Sequence, residues 1–295
     1  MHINRIVFSL LIVLLAQSCT TTRLMEEGET AYGEGDFKSA FTSWEEAIRE
    51  KKEKGEKVDS TIYYKAGIAA QKLDKTGKAQ QYLEWANDAG YSSPDLYLLL
   101  SGMYKNIDNL TLEIRALESY HKKYPEGEEI DSLDIRLFET YVESEQWNKA
   151  KGLWPNLEEE ARSGLELQKA YFKVNKELEN EAICDKLADQ ILRKEPNNLA
   201  ALEWNAIKYF DKADSLYVTE MKAYKENRTR KQYRKLLDAW DRIWPDFRKS
   251  RDYFEQLYEL DPKSRYANYL GHIYNRMDQE QKAEKWYKRA EKGDG

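Results

Sequence analysis

Three stretches of this 295-residue chain share a pattern that leaves few folds open. Residues 28–47 read GETAYGEGDFKSAFTSWEEA, residues 67–86 read GIAAQKLDKTGKAQQYLEWA, and residues 271–290 read GHIYNRMDQEQKAEKWYKRA. Each opens on Gly, places Ala twelve positions on, a large apolar residue at sixteen and a second Ala at nineteen. Stepping the first Ala-equivalent position along the chain gives 40, 79, 113, 150, 184, 217, 250 and 283, at intervals of 33–39 residues. Self-similarity at such a period marks a repeat architecture. Apolar residues recur at helical spacing on both sides of a central break. Each repeat therefore predicts two amphipathic helices that cannot bury their apolar faces alone and must stack on the next pair.

The pattern resembles the tetratricopeptide repeat (TPR), whose period is about 34 residues. The resemblance makes Gly28, Gly67 and Gly271 the small residues where two helices cross closely. Ala40, Ala79 and Ala283 become their packing partners, and Trp44, Leu83 and Tyr287 the large knobs. A third unit runs through Ser101, Tyr104, Leu117, Tyr120 and Pro125. Its closing KKYP, like LRKEP at 192–196 and YELDP at 258–262, stops a helix because proline cannot continue the hydrogen-bond ladder. Phe138, Phe172, Asn205 and Asp238 stand where the small residue is expected in the middle units. The implied fold is all-α, a TPR-like α-α superhelix (solenoid) of about eight helix pairs forming one domain over residues 25–292. Over 199–245 two readings stand: two regular repeats, or one long helix through 213–242.

Composition agrees with a folded helical chain. Charged residues make up 34%, but 21 Tyr and 8 Trp are too many for a disordered segment.

The N-terminus sets an expectation about location. Arg5 precedes an apolar run over residues 6–16, which is too short to span a bilayer and suits a secretory signal. The run ends Leu15-Ala16-Gln17-Ser18-Cys19, which resembles a relaxed lipobox of Gram-negative lipoproteins. That resemblance implies a signal peptide over 1–18, lipid on Cys19, a lipidated tether over 19–24, and an outer-membrane anchorage facing the periplasm or the surface. With Cys19 acylated, Cys184 has no disulfide partner. Loss of residues 1–18 removes Arg5 and no acid, leaving 46 basic against 53 acidic residues. So acidic a chain suits a protein partner and not a nucleic acid.

No catalytic set is legible. The three His are His2, His121 and His272, and no metal-binding spacing, phosphate loop or nucleophile elbow is present, so neither enzyme activity nor a cofactor or metal is expected. Cys184 falls at an Ala-equivalent packing position. Asp-Ser-Thr at 59–61 resembles an O-glycosylation acceptor of some Gram-negative bacteria.

Two surfaces are candidate binding sites. TPR concave faces hold peptides through first-helix residues, and the resemblance transfers that role to Tyr64, Gln71, Lys72, Lys105, Asn106, Asn268, Asn275 and Arg276. Separately, KAYKENRTRKQYRK at 222–235 gathers Lys222, Lys225, Arg228, Arg230, Lys231, Arg234 and Lys235 against one acid, Glu226, as a docking patch for an acidic partner or a membrane surface. The expected function is a non-enzymatic, membrane-anchored TPR scaffold or adaptor for another envelope protein or peptide. Its alternatives are a subunit of an outer-membrane assembly or secretion machine, and a glycan-binding lipoprotein of a nutrient-uptake system.

Overall fold

The computed structural model describes residues 20–293, all of whose regular elements are helical. The signal segment 1–18 and Cys19 lie outside the described residues. The chain divides into two compact units, residues 1–140 and 141–295. The division falls inside α7 (Ile130–Glu143). α7 is the first helix of the one pair whose second helix is cut short: α8 (Trp147–Leu153) has seven residues. Pro155, which has no N–H to give, comes next in a 3₁₀ turn over Trp154–Asn156.

The first unit holds α1 (residues 20–33), α2 (Phe37–Glu53), α3 (Ser60–Lys72), α4 (Thr76–Asp88), α5 (Pro94–Asn106), α6 (Leu110–Lys123) and most of α7. α3 packs on α4 and α5 on α6 as antiparallel pairs, and each pair stacks on the next. Residues 20–24, within the expected tether, are helical and open α1. Thr21 and Leu24 are buried, and Thr21 donates to Glu50 of α2 at 2.5 Å. The second unit continues through α8, α9 (Glu159–Ser163), α10 (Leu165–Glu177), α11 (Glu181–Lys194), α12 (Leu199–Glu226), α13 (Arg230–Leu260), α14 (Ser264–Arg276) and α15 (Glu280–Glu291).

One turn recurs. Gly35, Asp74, Asp108, Glu145, Glu179 and Asp278 all have positive φ, 80° at the glycine and 54–59° at the others. Each lies five residues before its Ala-equivalent position. The next amide always returns to the carbonyl five residues back: Asp36 to Ala31, Lys75 to Ala70, Asn109 to Tyr104, Gln146 to Tyr141, Asn180 to Asn175 and Gln279 to Tyr274, at 2.8–2.9 Å. This left-handed cap with its long return bond ends one helix and aims the next back along it.

The helix crossings beyond these turns are as close as the glycines implied. A β-carbon on Gly28 would meet Trp44 at 2.4 Å, one on Gly67 would meet Leu83 at 2.8 Å, and one on Gly271 would meet Tyr287 at 2.4 Å. Ala40, Ala79, Ala150, Cys184 and Ala283 are buried at the matching position of the second helix. Glu113 occupies that position in the third pair and is buried as well. Arg136 of α7 compensates its charge with two bonds, Nε to Oε1 at 2.7 Å and Nη2 to Oε2 at 3.1 Å.

Two expected turns are missing. The register places them at Lys212 and Pro245, yet both residues sit inside helices, α12 of 28 residues and α13 of 31. Neither reading of 199–245 is therefore met. The sixth and seventh repeats are fused into one double-length hairpin that turns at 227–229, and the described residues form seven pairs. The lower half of α12 takes its pair partner from the far end of α13. Ser250 donates to the Ala206 carbonyl at 2.8 Å, and Phe210 meets Phe247 edge to face. The two positions without turns adjoin, since Lys212 pairs with Asp246 at 2.8 Å. Asp238, expected near a crossing, is exposed on the upper half of the hairpin.

Gly67→Leu drives a side chain into Leu83 and is expected to lower stability by about 1–3 kcal/mol. Hydrogen exchange should show the loss concentrated in α2 to α5, because each repeat touches only its neighbours.

Candidate peptide groove on the first unit

The first helices of three successive pairs line one cleft of about 410 Å³. α1 supplies Tyr32, α3 supplies Tyr64, Ile68, Gln71 and Lys72, and α5 supplies Asp95, Leu98 and Leu99. Helical spacing explains the α3 set: positions 64, 68, 71 and 72 fall on one face, while Tyr63, Ala66, Ala69 and Ala70 turn into the core. On α5, Leu96 and Leu100 are buried, so the intervening Leu98 and Leu99 are left half-buried on the cleft floor.

The aromatic walls are fixed from behind. Tyr64 stacks on Tyr91 with ring centroids 4.3 Å apart, and Tyr32 leans on Trp44 at 5.4 Å and on Phe37 at 5.6 Å. Burial raises the Tyr64 phenol to about 12, with Asp95 and Tyr91 adding to the effect, and burial raises Tyr32 too. Both therefore stay neutral at physiological pH and keep an O–H to donate. Lys72, Gln71 and Asp95 are exposed. The cleft combines an apolar floor and neutral aromatic donors with one cation, one anion and one amide, a set that suits an extended main chain.

The sequence-derived groove residues are distributed unevenly. Tyr64, Gln71 and Lys72 come together here. Lys105 and Asn106 are exposed at the C-terminal end of α5, outside the cleft lining. Asn268 and Asn275 are exposed on α14 in the second unit. Arg276 is held by Asp214 at 2.7 Å and lies over the Tyr217 ring, which ties α14 to the long hairpin. Tyr32, Ile68, Asp95, Leu98 and Leu99 were not singled out from sequence. The one signal was for Leu98 and Leu99, in the apolar run 96–100, which is too wide for a single buried helix face.

Asp59, part of the Asp-Ser-Thr stretch, caps α3 by accepting from the Thr61 amide. Cys184 is fully buried, and its thiol is pushed up to about 11, mainly by burial and then by Asp185. Nucleophilic sulfur is the thiolate. Cys184 is therefore expected to resist a thiol reagent at pH 7.5 for hours in the folded protein and to react within minutes in denaturant. Rapid labelling of the native chain would contradict the packing described.

No family model matches the chain, and no curated protein is similar to it. Solved structures are similar in part. A tetratricopeptide repeat protein from Parabacteroides merdae is 13% identical, with 93% of each chain covered and a TM-score of 0.37. A putative protein binding protein from Bacteroides ovatus is 18% identical over 75% of this chain and 99% of that one, with a TM-score of 0.49. YrrB, described as a TPR protein with an unusual peptide-binding site, is 15% identical over 62% of this chain and 96% of its own, with a TM-score of 0.40. The recurrent turns and glycine crossings carry the fold assignment on their own: the chain is built from tetratricopeptide-type helix pairs.

Proposed function

We propose that this chain is a non-enzymatic adaptor that holds an extended segment of another envelope protein in the first-unit cleft while lipid on Cys19 tethers it to the outer membrane. The observation that carries the binding half is the cleft of Tyr32, Tyr64, Leu98 and Leu99 rimmed by Gln71, Lys72 and Asp95. The lipobox-like Leu15-Ala16-Gln17-Ser18-Cys19 carries the tether half. Because α1 is already helical at residue 20, a lipid on Cys19 would hold the first pair close to the membrane without a spacer. A subunit of an assembly or secretion machine is the narrower form of the same reading.

Selection from a random peptide library should yield extended ligands. Tyr64→Ala should weaken them about tenfold or more, the scale of a buried aromatic anchor, while Arg115→Ala on α6 should leave them unchanged. Ligands that ignore Tyr64→Ala would place binding elsewhere, and selection of glycans in place of peptides would favour the nutrient-uptake reading. For the tether, radiolabelled palmitate should enter the wild-type chain. Exchange of residues 1–19 for a cleavable secretory signal should move the protein to the soluble periplasmic fraction. No incorporation would refute lipidation.

A further inference from the structure

The upper half of the α12–α13 hairpin has no counterpart in the other pairs, whose complete helices run 12–17 residues. About 14 additional residues per helix add about 20 Å at 1.5 Å per residue. From Val218 to Lys235 every residue is exposed or half-buried. Lys222, Lys225, Arg228, Arg230, Lys231, Arg234 and Lys235 are all exposed there, and none is in an ion pair among the described residues. Nearer the base of the same hairpin the opposite holds: Lys208 pairs with Asp185, Lys212 with Asp246, and Asp214 with Arg276. Charge is neutralised locally at the base and left open at the tip.

The tip also runs against helix electrostatics. α13 begins at Arg230 and carries no acid in its first turn. Four of the cations thus lie in the first two turns of a helix, where the macrodipole is already positive. No acid in the first turn of α13 compensates them and no ion pair among the described residues holds them, so the arrangement suits an anion from outside. Apolar groups are interleaved with the charges. Tyr224 and Tyr233 face each other across the hairpin at 5.6 Å, and Val218, Tyr233 and Leu237 are among the most exposed large apolar side chains.

We propose that the hairpin tip docks on an anionic lipid bilayer surface. Its cations surround a convex turn at 227–229 instead of lining a groove, which suits a broad negative plane better than a single acidic strand. Tyrosine and aliphatic side chains among the cations suit the headgroup layer, where an apolar body and a polar tip are both accommodated. Membrane proximity rests on the proposed lipid tether, but tip contact with anionic lipid is a separate property.

The test uses the intact chain purified from envelopes. Asn227→Cys, in the turn, is labelled with an environment-sensitive fluorophore; Cys184 is buried, and peptide mapping checks that neither it nor Cys19 carries the label. The protein is mixed with vesicles of phosphatidylethanolamine and phosphatidylglycerol at 7:3, with pure phosphatidylcholine vesicles, or with soluble polyglutamate. The expected result is a blue shift with at least a threefold rise in emission on the anionic vesicles only. It should be lost in 0.5 M salt and in the Arg228→Glu, Arg230→Glu, Lys231→Glu variant, with unchanged helicity by circular dichroism. The milder Gln versions should give an intermediate signal. An equal response on both vesicle types, a response to polyglutamate alone, or no response would overturn the proposal. Flotation with phosphatidylcholine vesicles reports the lipid tether independently: a chain that fails to float there but still gives the anionic signal refutes the tether and leaves the tip contact standing.

Discussion

Each ordinary pair in this chain depends on one backbone device, a left-handed residue and, directly after it, an amide that returns five residues to close the preceding helix. The device fixes the angle at which the second helix leaves, and that angle sets how near the two helices pass. Where they pass closest, only glycine fits, as at Gly28, Gly67 and Gly271. Buried alanines, and Cys184 in the fifth pair, complete the contact. Each pair then leaves apolar side chains that only the next pair can cover, so neighbours are coupled within each unit. Five of the six turns place an acidic residue in a conformation that costs about 1–2 kcal/mol for most L-residues. Asp and Glu thus hold positions that glycine would occupy without strain, and the packing they set up offsets that cost.

In the fused hairpin the device is absent, and two repeats merge. Proline has φ locked near −65° and cannot enter the left-handed region, so Pro245 forbids a turn at its register position. The helix runs on past it with that one hydrogen bond missing, and past Lys212 without a break. The spacing of 33 residues persists across the merger because the helices keep their lengths and lose only their reversals. Periodicity alone therefore reads two regular repeats there, although the identity of residue 245 already excluded one turn. Here the local backbone rule was the better guide. Thr21 and Leu24 have the spacing of one helix face; both are buried, and Thr21 bonds to Glu50 of α2.

The binding surfaces were legible to different degrees. Tyr64, Gln71 and Lys72 follow from the resemblance to TPR groove positions, and they converge on one cleft. The floor of that cleft was not legible, because Leu98 and Leu99 look like core until Leu96 and Leu100 are seen to fill the core without them. Arg276 reads as a free groove cation, yet Asp214, 62 residues away, claims it through the long hairpin. The basic run at 222–235 was visible as charge. Its placement on a convex turn, clear of the paired charges at the hairpin base, depends on the missing turns and emerged only with the fold.

The central functional claim is that the first-unit cleft, and not the opposite surface of the same helix pairs, meets the partner. Site-specific photocrosslinking in intact envelopes tests it most directly, with a benzophenone side chain placed at Leu98 on the cleft floor or at Arg115 on α6. The expected result is one discrete adduct from Leu98, abolished by Tyr64→Ala, and none from Arg115. An adduct from Arg115 with none from Leu98, or a Leu98 adduct indifferent to Tyr64→Ala, would contradict the claim.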